Sequence, residues 1–266
     1  MPRSAQFIHA DITSWPSILS AFKTAATFHP AHTLTTVIAC AGVLGTPFIL
    51  PTERPLSPGS SPSASTSVDD PPAPDVSAIT INAIGLTYTC KLAQLFFEAA
   101  PTAPGPSPPK SLLIFTSMLA YTDFHNSATY TASKHAARGL FRILRPLLSA
   151  RGHRVNAVAP WLTRTLMTDG KSGGGAPDLV GLFEAAGCPV AEGPEWCVRA
   201  SLVVEERALN GRVLAAGPDR VFDMRDDAEG RDGAEGLQYF GREVVPGWDE
   251  YYEKIRLIVE GKVVGG

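Results

Sequence analysis

Apolar and polar positions along this chain follow two alternating periods. Phe7-Ile8-His9-Ala10-Asp11 reads as the end of a strand. Ser14-Trp15-Pro16 then opens an amphipathic helix, with Ser14 placed as its cap and Pro16 in the first turn, where a missing N–H costs little. Residues 35–42 form an apolar run ending in small residues, the pattern of a parallel strand buried on both faces. From Asp75 to about Ala100, Ile79, Ala83, Leu86, Cys90, Ala93 and Phe97 recur at helical spacing. Residues 111–117 predict the next strand and 128–149 a helix. A strand over 154–160 stops at a proline, and 212–216 follows an Asn210-Gly211 turn as another strand. The stretch from Trp248 to Glu260 predicts a terminal amphipathic helix. Strands alternating with helices specify an α/β fold built on a doubly wound parallel sheet.

The segments between these elements differ in kind. Residues 55–74 are rich in Pro, Ser, Gly and Thr and predict a flexible surface insertion, and 101–109 form a second Pro-rich loop. Residues 219–236 are charged and Gly-rich, the composition of a solvated loop. The chain is expected to be one domain over 1–266, with 218–266 as a C-terminal extension. Hydrophobic residues make up 44% of the 266, enough for a core, and a net charge of −3 offers no basic face to a nucleic acid. No apolar run reaches the roughly 18 residues that cross a bilayer. The residues after Met1 lack the apolar stretch of a secretory signal, so the cytosol is the expected compartment. Cys40, Cys90, Cys188 and Cys197 are too scattered for a disulfide framework or a zinc site. His29 and His32 flank Pro30, which predicts a loop, and no metal site is expected.

Tyr130 and Lys134 stand at i and i+4 of the 128–149 helix, so a phenol and an ammonium project from one face. Alone, such a pair reads as a surface contact. Upstream, Ser117 ends an apolar strand, at the edge where parallel sheets place ligand-contacting groups. Asn82 lies within the apolar stripe of the preceding helix, where a buried amide must find partners. Together Asn82, Ser117, Tyr130 and Lys134, in this order on these elements, resemble the short-chain dehydrogenase/reductase family over roughly residues 7–217. Ala39-Cys40-Ala41-Gly42 stands where that family has Asn-Asn-Ala-Gly, and Pro160-Trp161-Leu162-Thr163-Arg164-Thr165 where it has Pro-Gly-x-x-x-Thr. Asp11-Ile12 is similar to the Asp-Val that borders the adenine ring. Pro160-Trp161 and the Ser-Trp-Pro entry are most similar to a fungal branch associated with secondary metabolism.

The resemblance implies a Rossmann-like fold and an NAD- or NADP-dependent oxidoreductase that interconverts a secondary alcohol and a ketone of a small molecule. Tyr130 would move the proton at the substrate oxygen, Lys134 would stabilise its phenolate and bind the nicotinamide ribose, and Ser117 would hydrogen-bond the substrate oxygen. Asn82 would hold a relaying water. Asp11, Ile12, Cys40, Ala41, Gly42, Leu162 and Thr165 would line the cofactor, Thr165 at the carboxamide. The family's dimers imply a homo-oligomer through the helices at 76–100 and 128–149. Two other readings stay open: a non-enzymatic relative, and a dehydratase or epimerase of the same fold.

The chain departs from the family's pattern in two places. No Thr-Gly-x-x-x-Gly-x-Gly occurs, so the resemblance implies that the first strand–helix–strand unit, within roughly 50 residues of two such units, is missing along with the pyrophosphate loop. The strand end that separates NAD from NADP lies in the same missing part. An exposed apolar edge at Val37-Ile38-Ala39-Cys40, marginal stability and weak cofactor binding are the expected consequences. Cys40 in place of an amide is the second departure. Asp169-Gly170-Lys171-Ser172 mimics the end of a phosphate loop but lacks its first glycine and its strand; it predicts a mobile loop over the substrate site. Gly230, Gly233 and Gly236 form no dinucleotide fingerprint.

Overall fold

The computed structural model describes residues 5–28, 34–49, 72–99, 109–171, 177–229 and 231–262. Residues 55–71 of the expected insertion, 101–108, His29, His32, Ser172 and Gly230 lie outside the described residues. The apolar strand segments pair as one five-stranded sheet in sequential order: β1 (Thr36–Ala39), β2 (Ser111–Phe115), β3 (Arg154–Pro160), β4 (Val213–Ala216) and β5 (Val221–Asp223). The first four are parallel, and β5 returns antiparallel to β4 from the Asp219-Arg220 turn, an edge strand that the sequence reading did not foresee.

Period-two alternation explains why these runs are apolar throughout. Leu112, Ile114, Val155, Ala157, Val213 and Ala215 face one side. Leu113, Val158, Leu214 and Ala216 face the other. The first layer is covered by α3 (Leu86–Phe97) and α4 (Ala128–Ser149), with Phe183 of the short α5 (Leu179–Ala185) joining the same cluster, and the second by α6 (Glu195–Glu206). Helices on both faces make this a Rossmann-like doubly wound α/β sheet. Among the described residues β1 has no second strand neighbour, and Ile38, on the α6 side, is 53% exposed.

Four expectations need correction. Phe7–Asp11 is not a strand: it has no ladder partner among the described residues, and Phe7 is 88% exposed. α1 (Trp15–Phe28) begins where Ser14 and Pro16 predicted, with Ser17 N–H bonded to Ser14 Oγ at 3.4 Å, and it packs on α3. The 75–100 helix is real but changes pitch: α2 (Ser77–Ile79) runs into a π-helical turn, Thr80–Gly85, before α3. The wider turn shifts the buried phase, so Ala78, Asn82 and Gly85 face inward while Ile79 and Ala83 are half-buried. Residues 219–236 are no solvated loop. They hold β5, the start of α7 (Ala234–Tyr239), and the fully buried Met224 and Asp226. The extension, finally, is part of the core: Phe240, Val245 and Ile255 are 0% exposed, the last on α8 (Trp248–Val259). Among the described residues no helix is long and apolar enough to cross a membrane.

Candidate active site

The carboxyl end of β2 and the first turns of α4 meet at one point. Thr116 fixes the strand end, its N–H and Oγ1 both donating to the Val158 carbonyl at 2.8 and 3.0 Å. Ser117 follows with extended backbone, and its hydroxyl accepts from Leu119 N–H at 3.1 Å, capping a short 3₁₀ turn at Met118–Ala120. That bond uses one lone pair of the hydroxyl and leaves its proton free. Across from it, α4 presents Tyr130 and Lys134 on one face. The Lys134 ammonium is buried, lies 5.5 Å from the Tyr130 ring centroid, and donates to the Phe115 carbonyl at 3.3 Å. Burial pulls the ammonium down to about 8, opposed by the nearby Cys40 thiol. Burial also pushes the Tyr130 phenol above its usual value, and the nearby Ser117 hydroxyl works against that rise.

Asn82 reaches this cluster from the π turn. Its Nδ2 donates to the Val43 carbonyl at 2.8 Å and to Ser133 Oγ at 3.0 Å, while Oδ1 accepts from Val43 N–H at 2.9 Å. Ser133 Oγ in turn donates to the Tyr130 carbonyl at 2.7 Å. The amide therefore ties the loop after β1 to the turn of α4 that carries Tyr130, and both its hydrogens are used in doing so. Gly42 is pressed into the same corner: a Cβ there would stand 3.1 Å from Asn82 Oδ1 and 3.7 Å from Lys134 Nζ.

The remaining expected positions are spread around this corner. Cys40 and Ala41 are exposed at the end of β1. Asp11 caps its own turn, accepting from Thr13 N–H and Oγ1 at 2.9 and 2.7 Å, and Ile12 packs against Gly85. Leu162 and Thr165 follow β3 at the same sheet edge. Leu162 lies against the core, and Thr165 N–H donates to Thr168 Oγ1 at 3.0 Å. No hydrogen bond or ion pair among the described residues joins Leu162 or Thr165 to the Tyr130 cluster.

Known proteins are similar to this chain in sequence and in fold. A family model described as enoyl-(acyl carrier protein) reductase matches residues 59–183. A 5'-hydroxyaverantin dehydrogenase of Dothistroma septosporum is 35% identical over 229 residues, 84% of this chain and 71% of that protein. A 5'-hydroxyaverantin dehydrogenase of Emericella nidulans is 33% identical over 237 residues, covering 84% and 72%. The chain belongs to the short-chain dehydrogenase/reductase family. A solved structure of ElxO with NADP bound shares the fold, with a TM-score of 0.56 and 17% identity over 80% of this chain and 77% of that one.

Short-chain dehydrogenases/reductases are nicotinamide-dependent oxidoreductases, and half of such a cofactor's surroundings can be tested here. Lys134 is a buried cation whose one described hydrogen bond, to Phe115, leaves donors to spare, which suits the hydroxyls of a ribose. Gly42 keeps the adjoining backbone free of a side chain. These residues fit the nicotinamide-ribose end. No glycine-rich turn between a strand and a helix stands ready for the pyrophosphate among the described residues.

Sequence reasoning missed an ionic hub beside this corner. Asp226, 0% exposed, accepts from Arg138 Nε at 2.7 Å, Arg145 Nη1 at 3.0 Å and Tyr121 Oη at 3.1 Å. Two arginines among the apolar residues of α4 were its only sequence signal. Also missed was a cleft of about 620 Å³ between Tyr121-Thr122-Asp123 and the segment from Leu237 to Tyr252.

Proposed function

We propose that this chain interconverts a secondary alcohol and a ketone of a small molecule with NADP or NAD, through Tyr130, Lys134 and Ser117. The observation that carries the reading is the convergence of the three where β2 ends against α4: Ser117 just past the strand, and a phenol and a buried ammonium on one face of the helix, the ammonium 5.5 Å from the phenol ring. A nicotinamide cofactor, when bound, supplies the two-electron equivalent that the substrate carbon gains or loses. Lys134 would hold its ribose, Gly42, Cys40 and Ala41 would flank it, and Thr165 and Leu162 would close over the nicotinamide. Asp11 and Ile12 would sit toward the adenine.

Ser117 keeps its proton free of Leu119, so it can donate to the substrate oxygen as charge collects there. Tyr130, a phenol and therefore protonated at neutral pH, is poised as the general acid that completes carbonyl reduction. Alcohol oxidation needs the phenolate instead, and the charged Lys134 is the group that would favour it. Asn82 serves the site by position: with both amide hydrogens committed to Val43 and Ser133, its side chain sets the corner in which Tyr130 and Lys134 stand. The relatives above come from fungi and are named for 5'-hydroxyaverantin, which supports a secondary-metabolite substrate. A second copy of the chain would dock on the face that α4 and the π turn leave open. There Ala83, Ile84, Gly139, Leu140 and Ile143 line a depression of about 420 Å³, and Ile143 is 72% exposed.

Turnover of a panel of ketones and secondary alcohols, followed by nicotinamide absorbance, tests the reading. Tyr130→Phe should lower turnover by roughly 10²- to 10⁴-fold with cofactor affinity retained. Near-normal turnover with Phe at 130 would overturn it.

A further inference from the structure

The ionic hub joins the two halves of the site. Arg138 lies one turn beyond Lys134 on α4, and its guanidinium spreads across three partners. Nε donates to Asp226 at 2.7 Å, Nη1 to the Ala120 carbonyl at 3.2 Å, and Nη2 to the Asp232 carbonyl. The guanidinium also lies 4.2 Å from the centroid of the Tyr121 ring, whose hydroxyl donates to the same Asp226. Ala120 closes the 3₁₀ turn that Ser117 opens, its N–H donating to the Ser117 carbonyl at 3.0 Å. One helix therefore carries Tyr130 directly and grips the Ser117 turn through Arg138.

Asp226 makes that grip possible. Arg138 and Arg145 project from the same side of α4, and Asp226 is the one carboxylate that either pairs with among the described residues. Its two oxygens divide between them, Oδ2 to Arg138 and Oδ1 to Arg145. Without the anion the guanidiniums would repel across a buried space, and Arg138 would lose the bond that fixes its guanidinium beside the Ala120 carbonyl. The loop bearing Asp226 is itself seated on the turn. Gly233, at φ +88°, leaves room where a Cβ would meet the Tyr121 ring at 2.6 Å.

We propose that Asp226 is a positioning residue for this site, fixing the distance between Ser117 and Tyr130 through Arg138. The proposal rests on the reading of Ser117 and Tyr130 given above. A carboxylate that merely stabilised the fold would lower melting temperature without acting through Ser117, and this difference sets the test.

The resonance of [¹³Cζ]tyrosine at Tyr130, assigned by its loss in Tyr130→Phe, reports the polar surroundings of the phenol, the Ser117 hydroxyl among them, without any turnover. Ser117→Ala should move it. Asp226→Asn, which keeps shape and removes charge, should move it the same way, and the double variant should move it no further than Ser117→Ala alone. Arg138→Lys keeps a cation but loses the fork, and should reproduce the shift if Asp226→Asn does not fold. In turnover, Asp226→Asn should cost about ten- to a hundredfold in kcat with little change in cofactor KM. That loss should vanish in the Ser117→Ala background. A folded Asp226→Asn or Arg138→Lys protein with an unmoved Tyr130 resonance, or losses that add to those of Ser117→Ala, would overturn the proposal. Full turnover by Tyr130→Phe would instead refute the reading beneath it and leave the resonance result standing.

Discussion

At the scale of single residues, the site's chemistry depends on a charge held where the fold resists it. Lys134 is removed from water, and its one described partner is a carbonyl. Its folded pKa of about 8 lies below the 10.5 of the free side chain, so over that interval the native state binds fewer protons than the unfolded one. This group's contribution to stability therefore rises from pH 8 to 10.5, and below 8 the full cost of burying the cation is borne. Lys134→Met should raise stability at pH 7 by roughly 2–3 kcal/mol, less the lost bond to Phe115, while abolishing turnover. Chemical denaturation of both proteins across the pH range checks it, and the advantage of the Met variant should shrink as pH climbs past 8. Ser117→Ala should do the reverse, lowering turnover far more than melting temperature, because the hydroxyl's internal bond is a single turn contact.

Elements place these groups through changes of pitch and face. The π turn at Thr80–Gly85 rotates Asn82 into contact with Val43 and Ser133, which a uniform 3.6-residue repeat would not do. The same helices leave Ile84 and Ile143 exposed at 43% and 72%, flanking Gly139, beside which a Cβ would meet nothing. An apolar face this open suits a second copy of the chain. The wild-type chain should scatter light as a dimer and Ile143→Lys as a single chain, and equal masses for the two would remove this face as an interface.

Across the whole molecule, the segment after β4 props up the site. Trp161 follows β3 at the start of the expected nicotinamide-side loop. It packs at 4.8 Å between ring centroids on Phe240 and at 5.0 Å on Trp248, and bonds the Pro189 carbonyl at 2.8 Å. Phe240 is fully buried among these rings and the core. Phe240→Ala should cost about 3–5 kcal/mol in denaturant unfolding, the range for a buried aromatic that leaves a cavity. A loss below about 1 kcal/mol, the scale of a surface change, would show that the C-terminal segment is an appendage after all.

The sequence by itself determined the strands and helices whose patterns are local. Residues 128–149 and 154–160 were read with the bounds the structure shows. Ser117 follows β2, and Tyr130 and Lys134 share a face of α4 as expected, because strand ends and i, i+4 faces follow from backbone geometry alone. What lay beyond it were features defined by a partner far along the chain. Phe7–Asp11 has strand composition, but a strand exists only with a neighbour to pair with. Asp226 looks like one charge in a charged loop, and becomes the buried centre of a hub only when α4 brings two arginines to it. Composition reports what a segment would do in water, whereas tertiary packing decides which of its charges never meet water.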